Sequence, residues 1–297
     1  MIIFYSKRER GGYGDRLIGI GACLAISLIL KHEFRIIWDE DLSSVFEDYK
    51  SAKPLPHYDF RYNLIDQNGI ESQWLQTFDF SQWSNRVIMI ECNQPVHHNL
   101  WLNPSLKIAQ SYAEITTDAY SLIYSKYLII KESLKLKMFS VRGVRGVQIR
   151  CGDYYLTGDP NNNYINPTQL ENLIKAIKLQ IPSDSVVFIT SDNIDTYESF
   201  KKAFKNAIYY RFTNIEHFDH AKTTESLVNV ILDHYTLSKC SSIITRHRSS
   251  NFGVTAALTG RVNKVFIYEK WGDNYIIKSA DHQLNPFVKT TIPLAYF

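Results

Sequence analysis

The fold of this chain is decided around residues 147–156, which read "VQIRCGDYYL". An apolar, β-rich run ends here, and Arg150, Gly152 and Asp153 follow at once, although leaving a strand requires only a turn. The run is one of several β-rich segments that alternate with helical segments in the second half of the chain. Such alternation predicts a parallel sheet covered by helices on both faces, which is a doubly wound α/β fold.

The alternation is regular from about residue 140 onward. Asn166 and Pro167 are a good N-cap and first-turn pair for the helix "PTQLENLIKAIKLQI", and Thr224 is predicted to cap the helix "ESLVNVILDHYTLSKC". Two more helices are predicted in "TYESFKKAFKN" and in "SSNFGVTAALTG", which Gly260 closes. The strands between them are predicted at "VRGVQIR", "SVVFITSDN", "AIYYRF", "SSIITR" and, as the last strand, "KVFIY".

The first half opens in a similar way and then loses its regularity. A short strand, "MIIFY", precedes the loop "SKRERGGYGD", a helix "RLIGIGACLAISLIL" that is apolar on nearly all sides, and a strand "FRIIW". This order is the start of a βαβ unit with a buried helix. Residues 42–135 give no clear order, except for one long helix predicted within "SLKIAQSYAEITTDAYSLIYSKYLIIKESL".

Size and charge narrow the class of protein. A chain of 297 residues forms one large domain or two ordinary ones. With 45% hydrophobic and 21% charged residues, the composition is that of a folded, soluble protein. The net charge of +3 is spread over 33 basic and 30 acidic residues without a long block of one sign, so nucleic acid is not the expected partner.

Cysteine usage and hydropathy indicate a cytoplasmic protein. The four cysteines form no CxxC pair, which argues against a zinc site or a disulfide framework and favours reduced thiols. The longest apolar stretch, Leu17 to Leu30, is too short to span a bilayer and is broken by Gly19 and Gly21. No signal peptide and no membrane span are predicted, and a peripheral membrane contact stays open.

Polar residues gather where the predicted strands end. In open α/β sheets, ligands bind beyond the carboxyl ends of the strands. An arginine there can bind a phosphate through two charge-assisted hydrogen bonds, and a helix start offers free backbone amides. In the alternative interpretation Arg150 pairs with Asp153 and the serines are only helix caps. The strand ends carry Arg150, Asp153, Ser191, Asp192, Arg246, Arg248, Ser249 and Ser250.

Several of these segments resemble motifs of one known family. The segments are "GGYGDRL", "VQIRCGDYY", "FITSDN" and "ILDHYTLSKCSSIITRHRSSNFGVTAALTG". They are similar to successive motifs of the fucosyltransferase superfamily, which includes the nodulation, α1,6-, α1,2- and protein O-fucosyltransferases. The similarity covers the opening 35 residues and most of residues 145–260.

The resemblance implies a GT-B-like fold of two facing Rossmann-like domains. Residues 1–138 would form the acceptor-side domain and residues 139–297 the nucleotide-sugar-binding domain, with the last residues packing back on the first domain. It also implies GDP-fucose as donor, a glycan hydroxyl as acceptor, inversion at the anomeric carbon, and neither a metal nor another cofactor.

The resemblance also assigns roles to individual residues. Arg150 matches the arginine on the β-phosphate of the donor, and Asp153 ends the same motif. The family usually has His where Gln148 stands, and often a second arginine where Cys151 stands. The remaining matches are Gly12, Gly14, Asp15 and Arg16 in the loop facing the cleft, Asp192 and Asp233 near the nucleotide, and Ser249, Ser250 and Asn251 at the phosphate-binding helix start.

An inverting transfer needs a base within hydrogen-bond reach of the acceptor hydroxyl. The candidate bases are Asp15, Asp153 and Asp159. Asp159 lies a few residues after the arginine motif, where some relatives place a base, but "TGDPNNN" is also a good surface turn. These alternatives stay open at the level of the sequence.

Two rival functions remain. Asp39, Glu40 and Asp41 in "WDED" follow a strand, and the pair Asp39 and Asp41 could hold a divalent metal in a metal-dependent transferase of another sugar or a phosphoryl group. A solvated acidic loop is the simpler interpretation. The other rival is a non-catalytic protein that keeps a nucleotide or glycan pocket in a transferase fold. The aromatic residues Trp74, Trp83 and Trp101 suit either an acceptor groove or core packing.

Overall fold

The structure, a computed structural model, describes residues 1–6, 12–49, 55–65, 72–151, 165–210, 223–246, 251–271 and 274–280. These residues group into two compact units, which we call unit 1 (residues 1–137) and unit 2 (residues 138–280). Each unit contains its own sheet with helices packed on it. The predicted α/β class is confirmed, and the roles assigned to the two domains stay predictions.

Unit 1 is built on a four-stranded parallel sheet. The strand order is β2-β1-β4-β3, so β1 and β4 lie in the centre. The strands are β1 (Ile2–Ser6), β2 (Phe34–Trp38), β3 (Phe60–Leu64) and β4 (Ile88–Cys92), and the α-helices are α1 (Tyr13–Leu30), α2 (Tyr112–Leu122) and α3 (Glu132–Lys135).

Helix α1 is the buried helix predicted from the apolar run. It packs against β1, β4 and α2. At Gly19 the helix approaches β4 so closely that an added Cβ would lie 1.8 Å from the carbonyl oxygen of Cys92. By length and composition α1 could cross a membrane, and it is the one such helix in the described chain, but 78% of it is buried. That burial is typical of a core helix.

The long helix predicted within residues 105–134 is shorter in the structure. Helix α2 begins after Ser111, whose hydroxyl accepts from the backbone amide of Glu114 in a capping box. A π-helical turn, Ile123–Tyr127, follows α2, and α3 is separate. The prediction missed these ends because the apolar pattern continues through both breaks.

The aromatic residues of the irregular region pack on one another. The ring of Tyr62 is stacked on Trp74, with centroids 4.9 Å apart, and contacts Phe78 and Trp83. Trp83 is fully buried. Of the two interpretations of these rings, acceptor groove or core packing, the burial of Trp83 supports core packing.

Unit 2 contains a six-stranded sheet in the order β10-β9-β8-β5-β6-β7. All neighbours are parallel except β9 and β10. The strands are β5 (Arg145–Ile149), β6 (Val187–Ser191), β7 (Ala207–Ile208), β8 (Ser242–Arg246), β9 (Val265–Trp271) and β10 (Asn274–Ser279), and the helices are α4 (Pro167–Gln180), α5 (Ile194–Ala203), α6 (Thr224–Leu237) and α7 (Asn251–Gly260).

The strand order of unit 2 is that of a Rossmann fold. Successive strands run outward from β5 through β6 to β7, and the chain then returns to place β8 on the other side of β5. Helices α4 and α5 share a buried cluster with Val147 and Ile189, whereas α6 reaches the opposite face through Asp233 and Thr190. The predicted doubly wound sheet is therefore confirmed, and its topological switch point lies between β5 and β8.

Two local predictions for unit 2 were wrong. The cap of α6 is Thr223, whose hydroxyl accepts from the backbone amide of Ser226, and Thr224 is the first helical residue. The strand "KVFIY" is not the last, because β10 follows it and pairs with β9 in antiparallel register. By contrast, Asn166 caps α4 as predicted, with its side chain accepting from the amide of Gln169.

Candidate functional site

The candidate site of unit 2 lies at the switch point, beyond the carboxyl ends of β5 and β8. Arg150 and Cys151 follow β5, and Arg246 is the last residue of β8. On the other side of β5, the end of β6 contributes Ser191 and Asp192. Diverging connections leave a crevice at such a point, and this is where open α/β sheets bind their ligands.

A row of buried polar side chains lies just below these strand ends. Thr190 pairs with Gln148 in the register of β6 and β5, and the hydroxyl of Thr245 on β8 donates to Oε1 of Gln148 at 2.7 Å. All three residues are at most 4% exposed. A hydrogen bond between two buried side chains offsets their desolvation, so this row fixes the central strands relative to one another.

Arg150 is held at the edge of the crevice by groups from two other strands. Its Nε lies 3.5 Å from Oδ2 of Asp192, and its backbone amide donates to the hydroxyl of Tyr268 at 3.2 Å. Oδ1 of Asp192 accepts from the backbone amide of Cys151 at 2.7 Å. The side chain of Arg150 keeps 18% of its surface exposed. Asp192 thus orients both the guanidinium and the backbone that carries it.

Asp192 is a partner of Arg150 that the sequence did not suggest. Asp153, the partner in the alternative interpretation, lies outside the described residues, as does the candidate base Asp159. Burial, followed by the charge of Asp192, raises the pKa of the Cys151 thiol to about 11. Cys151 is therefore a neutral thiol at pH 7 and cannot supply the charge of a second arginine.

Helix α7 begins against the end of β8. An added Cβ on Gly253, in the first turn of α7, would lie 2.1 Å from Oγ1 of Thr245. The lack of a side chain at Gly253 therefore lets the amino end of α7, starting at Asn251, approach the switch point. Such a helix end presents unpaired amides and a positive dipole. Arg248, Ser249 and Ser250 precede this helix and lie outside the described residues.

The same helix is tied to α6 by a buried histidine. Nε2 of His234 lies 2.9 Å from Oγ1 of Thr255, and its ring meets Phe252 edge-on. Burial lowers the pKa of His234 to about 3, so the ring is neutral at pH 7. His234 is one of the contacts that position α7.

Asp233, which precedes His234 in α6, is buried behind the strand ends. Oδ2 accepts from the hydroxyl of Thr190 at 3.1 Å, and Oδ1 is buried without a hydrogen-bond partner among the described residues. Burial raises the pKa of Asp233 well above its usual range, and the Thr190 bond partly opposes this shift. The role of Asp233 near a nucleotide stays a prediction.

Two further predicted residues occupy the strand ends. Oγ of Ser191 accepts from the backbone amide of Asn193 at 3.2 Å and so shapes the turn after β6. Arg246 is half-buried and within electrostatic reach of Tyr268: burial raises the pKa of Tyr268, and the charge of Arg246 opposes this. Both residues lie at the edge where a ligand is expected.

The glycine turn of unit 1 occupies the equivalent position after β1. The backbone amide of Gly12 donates to Oδ2 of Asp15 at 3.0 Å, so Asp15 helps to cap α1. Gly14 is buried in the first turn. The role of Asp15 as a base stays a prediction.

Arg16 lies inside unit 1. It is 1% exposed, and its Nη1 donates to Ser6 at 2.9 Å and to Oε1 of Glu40 at 2.7 Å. Its guanidinium also lies over the ring of Trp38 at 5.6 Å. Arg16 therefore joins the first turn of α1 to the ends of β1 and β2, and removal of one member of such a buried ion pair costs about 3–5 kcal/mol.

The acidic residues of "WDED" each have a different partner. Oδ1 of Asp39 accepts from the hydroxyl of Tyr5 at 2.7 Å, Glu40 pairs with Arg16, and Oδ1 of Asp41 accepts from the amide of Ser43. The described ranges contain no group of three or more His, Cys, Asp or Glu residues that could hold a metal ion. The metal-dependent alternative, which uses the pair Asp39 and Asp41, stays a prediction.

The structure brings the unit 2 predictions together and adds residues that the sequence did not suggest. Gln148, Arg150, Ser191, Asp192, Arg246 and Asn251 lie at neighbouring strand and helix ends. Sequence reasoning missed Thr245 and Tyr268. Both occupy ordinary positions in β-rich runs, and only the pairing of β5 with β8 and of β8 with β9 reveals their contacts. The ligand-binding roles predicted for the six residues named above stay predictions.

The described residues form an α/β fold with parallel sheets, and its likeness to solved structures of fucosyltransferases extends over most of the chain. Fucosyltransferase NodZ from Bradyrhizobium has a TM-score of 0.55 at 15% identity, over 93% of this chain and 98% of that one. A variant of Arabidopsis thaliana FUT1 in complex with GDP has a TM-score of 0.54 at 11% identity, over 92% of this chain and 71% of that one.

A third structure, NodZ α1,6-fucosyltransferase co-crystallized with GDP, has a TM-score of 0.51 at 15% identity, over 94% of this chain and 99% of that one. These likenesses confirm the predicted α/β fold class and the resemblance to fucosyltransferases at the level of structure, and the facing arrangement of two domains stays a prediction. No family model matches the sequence, and the search of curated proteins finds no significant match.

Proposed function

We propose that this protein is an inverting, metal-independent glycosyltransferase that transfers fucose from GDP-fucose to a hydroxyl group of a glycan. The acceptor class would be a surface polysaccharide or lipo-oligosaccharide. The observation that carries the proposal is Arg150, oriented by Asp192 at the switch point of a Rossmann-type sheet. The proposal is supported by likeness to a NodZ structure soaked with GDP-fucose, at a TM-score of 0.50.

In this proposal Arg150 stabilises the negative charge that develops on the leaving diphosphate. A guanidinium matches phosphate oxygens with two parallel hydrogen bonds, and preorganised charge of this kind is usually the largest catalytic contribution. Asp192 fixes the guanidinium through the 3.5 Å contact. The amino end of α7, held close by the packing of Gly253 on Thr245, adds backbone amides and a favourable dipole.

An acceptor hydroxyl would attack the donor sugar from the face opposite the diphosphate while a carboxylate removes its proton. Asp15, Asp153 and Asp159 remain the candidate bases. The reaction would take place in the cytoplasm, and the buried free thiols of Cys23, Cys92, Cys151 and Cys240 are compatible with a reducing compartment.

The test is the Arg150→Ala variant, assayed for release of GDP from GDP-fucose with and without a panel of glycan acceptors. Loss of one preorganised donor lowers turnover by about 10²–10³-fold in enzymes of known mechanism, and we expect a loss of this size. Arg142→Ala is the control, because Arg142 is an exposed arginine before β5, away from the strand ends. Circular dichroism and thermal melting check that both variants are folded.

Near-normal turnover by Arg150→Ala would contradict the proposal. So would a wild-type protein that binds GDP but neither hydrolyses nor transfers the donor with any acceptor, since that result would favour the non-catalytic binder. Equal losses in Arg150→Ala and Arg142→Ala would indicate a general electrostatic effect and not a contact with the diphosphate.

A further inference from the structure

The edge of the unit 2 sheet opposite the candidate site is strongly basic. Five parallel strands start at this edge, because parallel strands share their direction. Within unit 2, the loops that lead into these strands, together with the first residue of β5, carry six basic residues and one acidic residue, Asp184. The basic residues are Arg142, Arg145, Lys205, Lys239, Arg261 and Lys264.

Helix ends add to this charge. The last turn of α4 contains Lys178, and the last turn of α5 contains Lys201 and Lys202. All three are exposed. Helices α4 to α7 end at this edge, and each carboxyl end carries about half a negative elementary charge, so the helix dipoles offset only about two positive charges. The described loops and helix ends at this edge therefore keep a net positive charge.

Two large apolar side chains project from the same edge. Leu179, in the last turn of α4, is 86% exposed and is the most exposed large apolar residue in the described chain. Val186, directly before β6, is 43% exposed. Nη1 of Arg145 donates to the carbonyl of Gln180 at 2.7 Å and ties the end of α4 to the start of β5. Leu179 therefore projects from an anchored helix end beside Lys178.

We propose that this basic edge, with Leu179 and Val186 at its surface, binds the surface of an anionic lipid bilayer. Basic side chains are attracted to anionic headgroups, and each one near the surface changes the binding constant by about fivefold. Exposed aliphatic side chains then enter the boundary between headgroups and acyl chains. A nucleic acid could pair with the basic side chains, but it would leave Leu179 and Val186 in water, so the bilayer is the better match.

The proposal is independent of the transferase function, because no residue of the basic edge belongs to the candidate site. It places the carboxyl ends of the unit 2 sheet away from the bilayer. A donor crevice at that edge would stay open to soluble nucleotide sugar while unit 2 is bound.

The experiment measures co-sedimentation of the full chain with vesicles of phosphatidylcholine, with and without phosphatidylglycerol. We expect binding only to the phosphatidylglycerol vesicles and release at high salt, because salt screens charges at a surface. In the charge variant, Lys201→Gln, Lys202→Gln and Lys205→Gln are combined, and binding should fall more than tenfold. In the apolar variant, Leu179→Ser, binding should fall by several fold.

Matched controls remove the same groups from unit 1. The charge control combines Lys31→Gln, Lys107→Gln and Lys126→Gln, three exposed lysines. The apolar control is Leu102→Ser, at a leucine that is 61% exposed. We expect both controls to bind vesicles as the wild type does, and all of these variants to melt at the wild-type temperature, since exposed substitutions change stability little.

Three results would overturn the proposal. Equal losses in the charge variant and its control would show that net charge alone drives binding. An unchanged Leu179→Ser variant would show that no apolar contact forms. Absence of vesicle binding, together with lysine-dependent binding of a single-stranded RNA homopolymer, would assign the surface to nucleic acid.

Discussion

Asp233 shows at the scale of one residue how unit 2 keeps a carboxyl group inside its core. The residue is 6% exposed, and its one hydrogen bond in the described residues comes from Thr190. A buried charge without a full set of donors is costly, so the carboxyl group keeps its proton to a higher pH than usual. The folded protein therefore holds a proton that the unfolded chain releases.

This difference predicts a pH-dependent effect of Asp233→Asn. The pKa of Asp233 is raised by folding, so its contribution to stability is complete below the unfolded pKa of about 3.9 and is lost as pH rises toward the folded pKa. Asparagine cannot ionise. We expect the free energy of unfolding of the variant, relative to wild type, to increase from about pH 4 to pH 7.

Urea unfolding at a series of pH values measures this difference. Asp184→Asn, at an exposed carboxylate of the same unit, is the control for the change of side chain. If Asp233→Asn and wild type differ by the same free energy at every pH, the proton on Asp233 is not linked to folding and the raised pKa is wrong.

At the scale of elements, the position of α7 depends on its contact with β8. Gly253 lies where any Cβ would come within 2.1 Å of Oγ1 and 2.5 Å of Cβ of Thr245. These atoms belong to the side chain at the β8 end of the buried polar row, so they cannot move without disturbing the hydrogen bond to Gln148. The amino end of the helix must move instead, and with it the amides proposed to face the donor.

We therefore expect Gly253→Ala to destabilise the protein by about 1–3 kcal/mol, the usual cost of overpacking, despite the better helix propensity of alanine. It should also weaken GDP binding, measured by calorimetry. Gly143→Ala is the control: Gly143 has a φ of 82° and open space around it, so alanine there strains the backbone at the opposite edge. If Gly253→Ala binds GDP as the wild type does, the start of α7 does not contribute to the nucleotide-binding site.

The same elements show what the sequence could predict. Helix α4 was located correctly because Asn166 and Pro167 act on their own turn. The start of α6 was misplaced by one residue because Thr223 and Thr224 are both good caps, and only the contact with Ser226 distinguishes them. The contact of Arg150 with Asp192 was not predictable, because Asp192 directly follows the neighbouring strand β6, and strand pairing brings the two together.

At the scale of the whole molecule, the two units place their charged residues differently. Unit 1 uses its buried charges, Arg16 and Glu40, to join the first turn of α1 to the end of β2. Unit 2 has the Rossmann strand order and a partly buried arginine, Arg150, at its switch point. We therefore expect unit 2 to supply most of the binding energy for a nucleotide diphosphate. The positive charge of Arg150 would neutralise the diphosphate, a task that a bound cation performs in a metal-dependent enzyme.

Thermal melting with nucleotides tests this expectation on the full chain. A ligand selective for the folded state stabilises it by about 2.7 kcal/mol at 100 times its Kd. We expect GDP to raise the melting temperature more than UDP, CMP or TDP, and the gain to be the same in EDTA. Arg150→Ala should lose most of it. A gain that EDTA abolishes would instead favour the metal-dependent transferase and make Asp39 and Asp41 the residues to mutate, because only a bound cation would then neutralise the diphosphate.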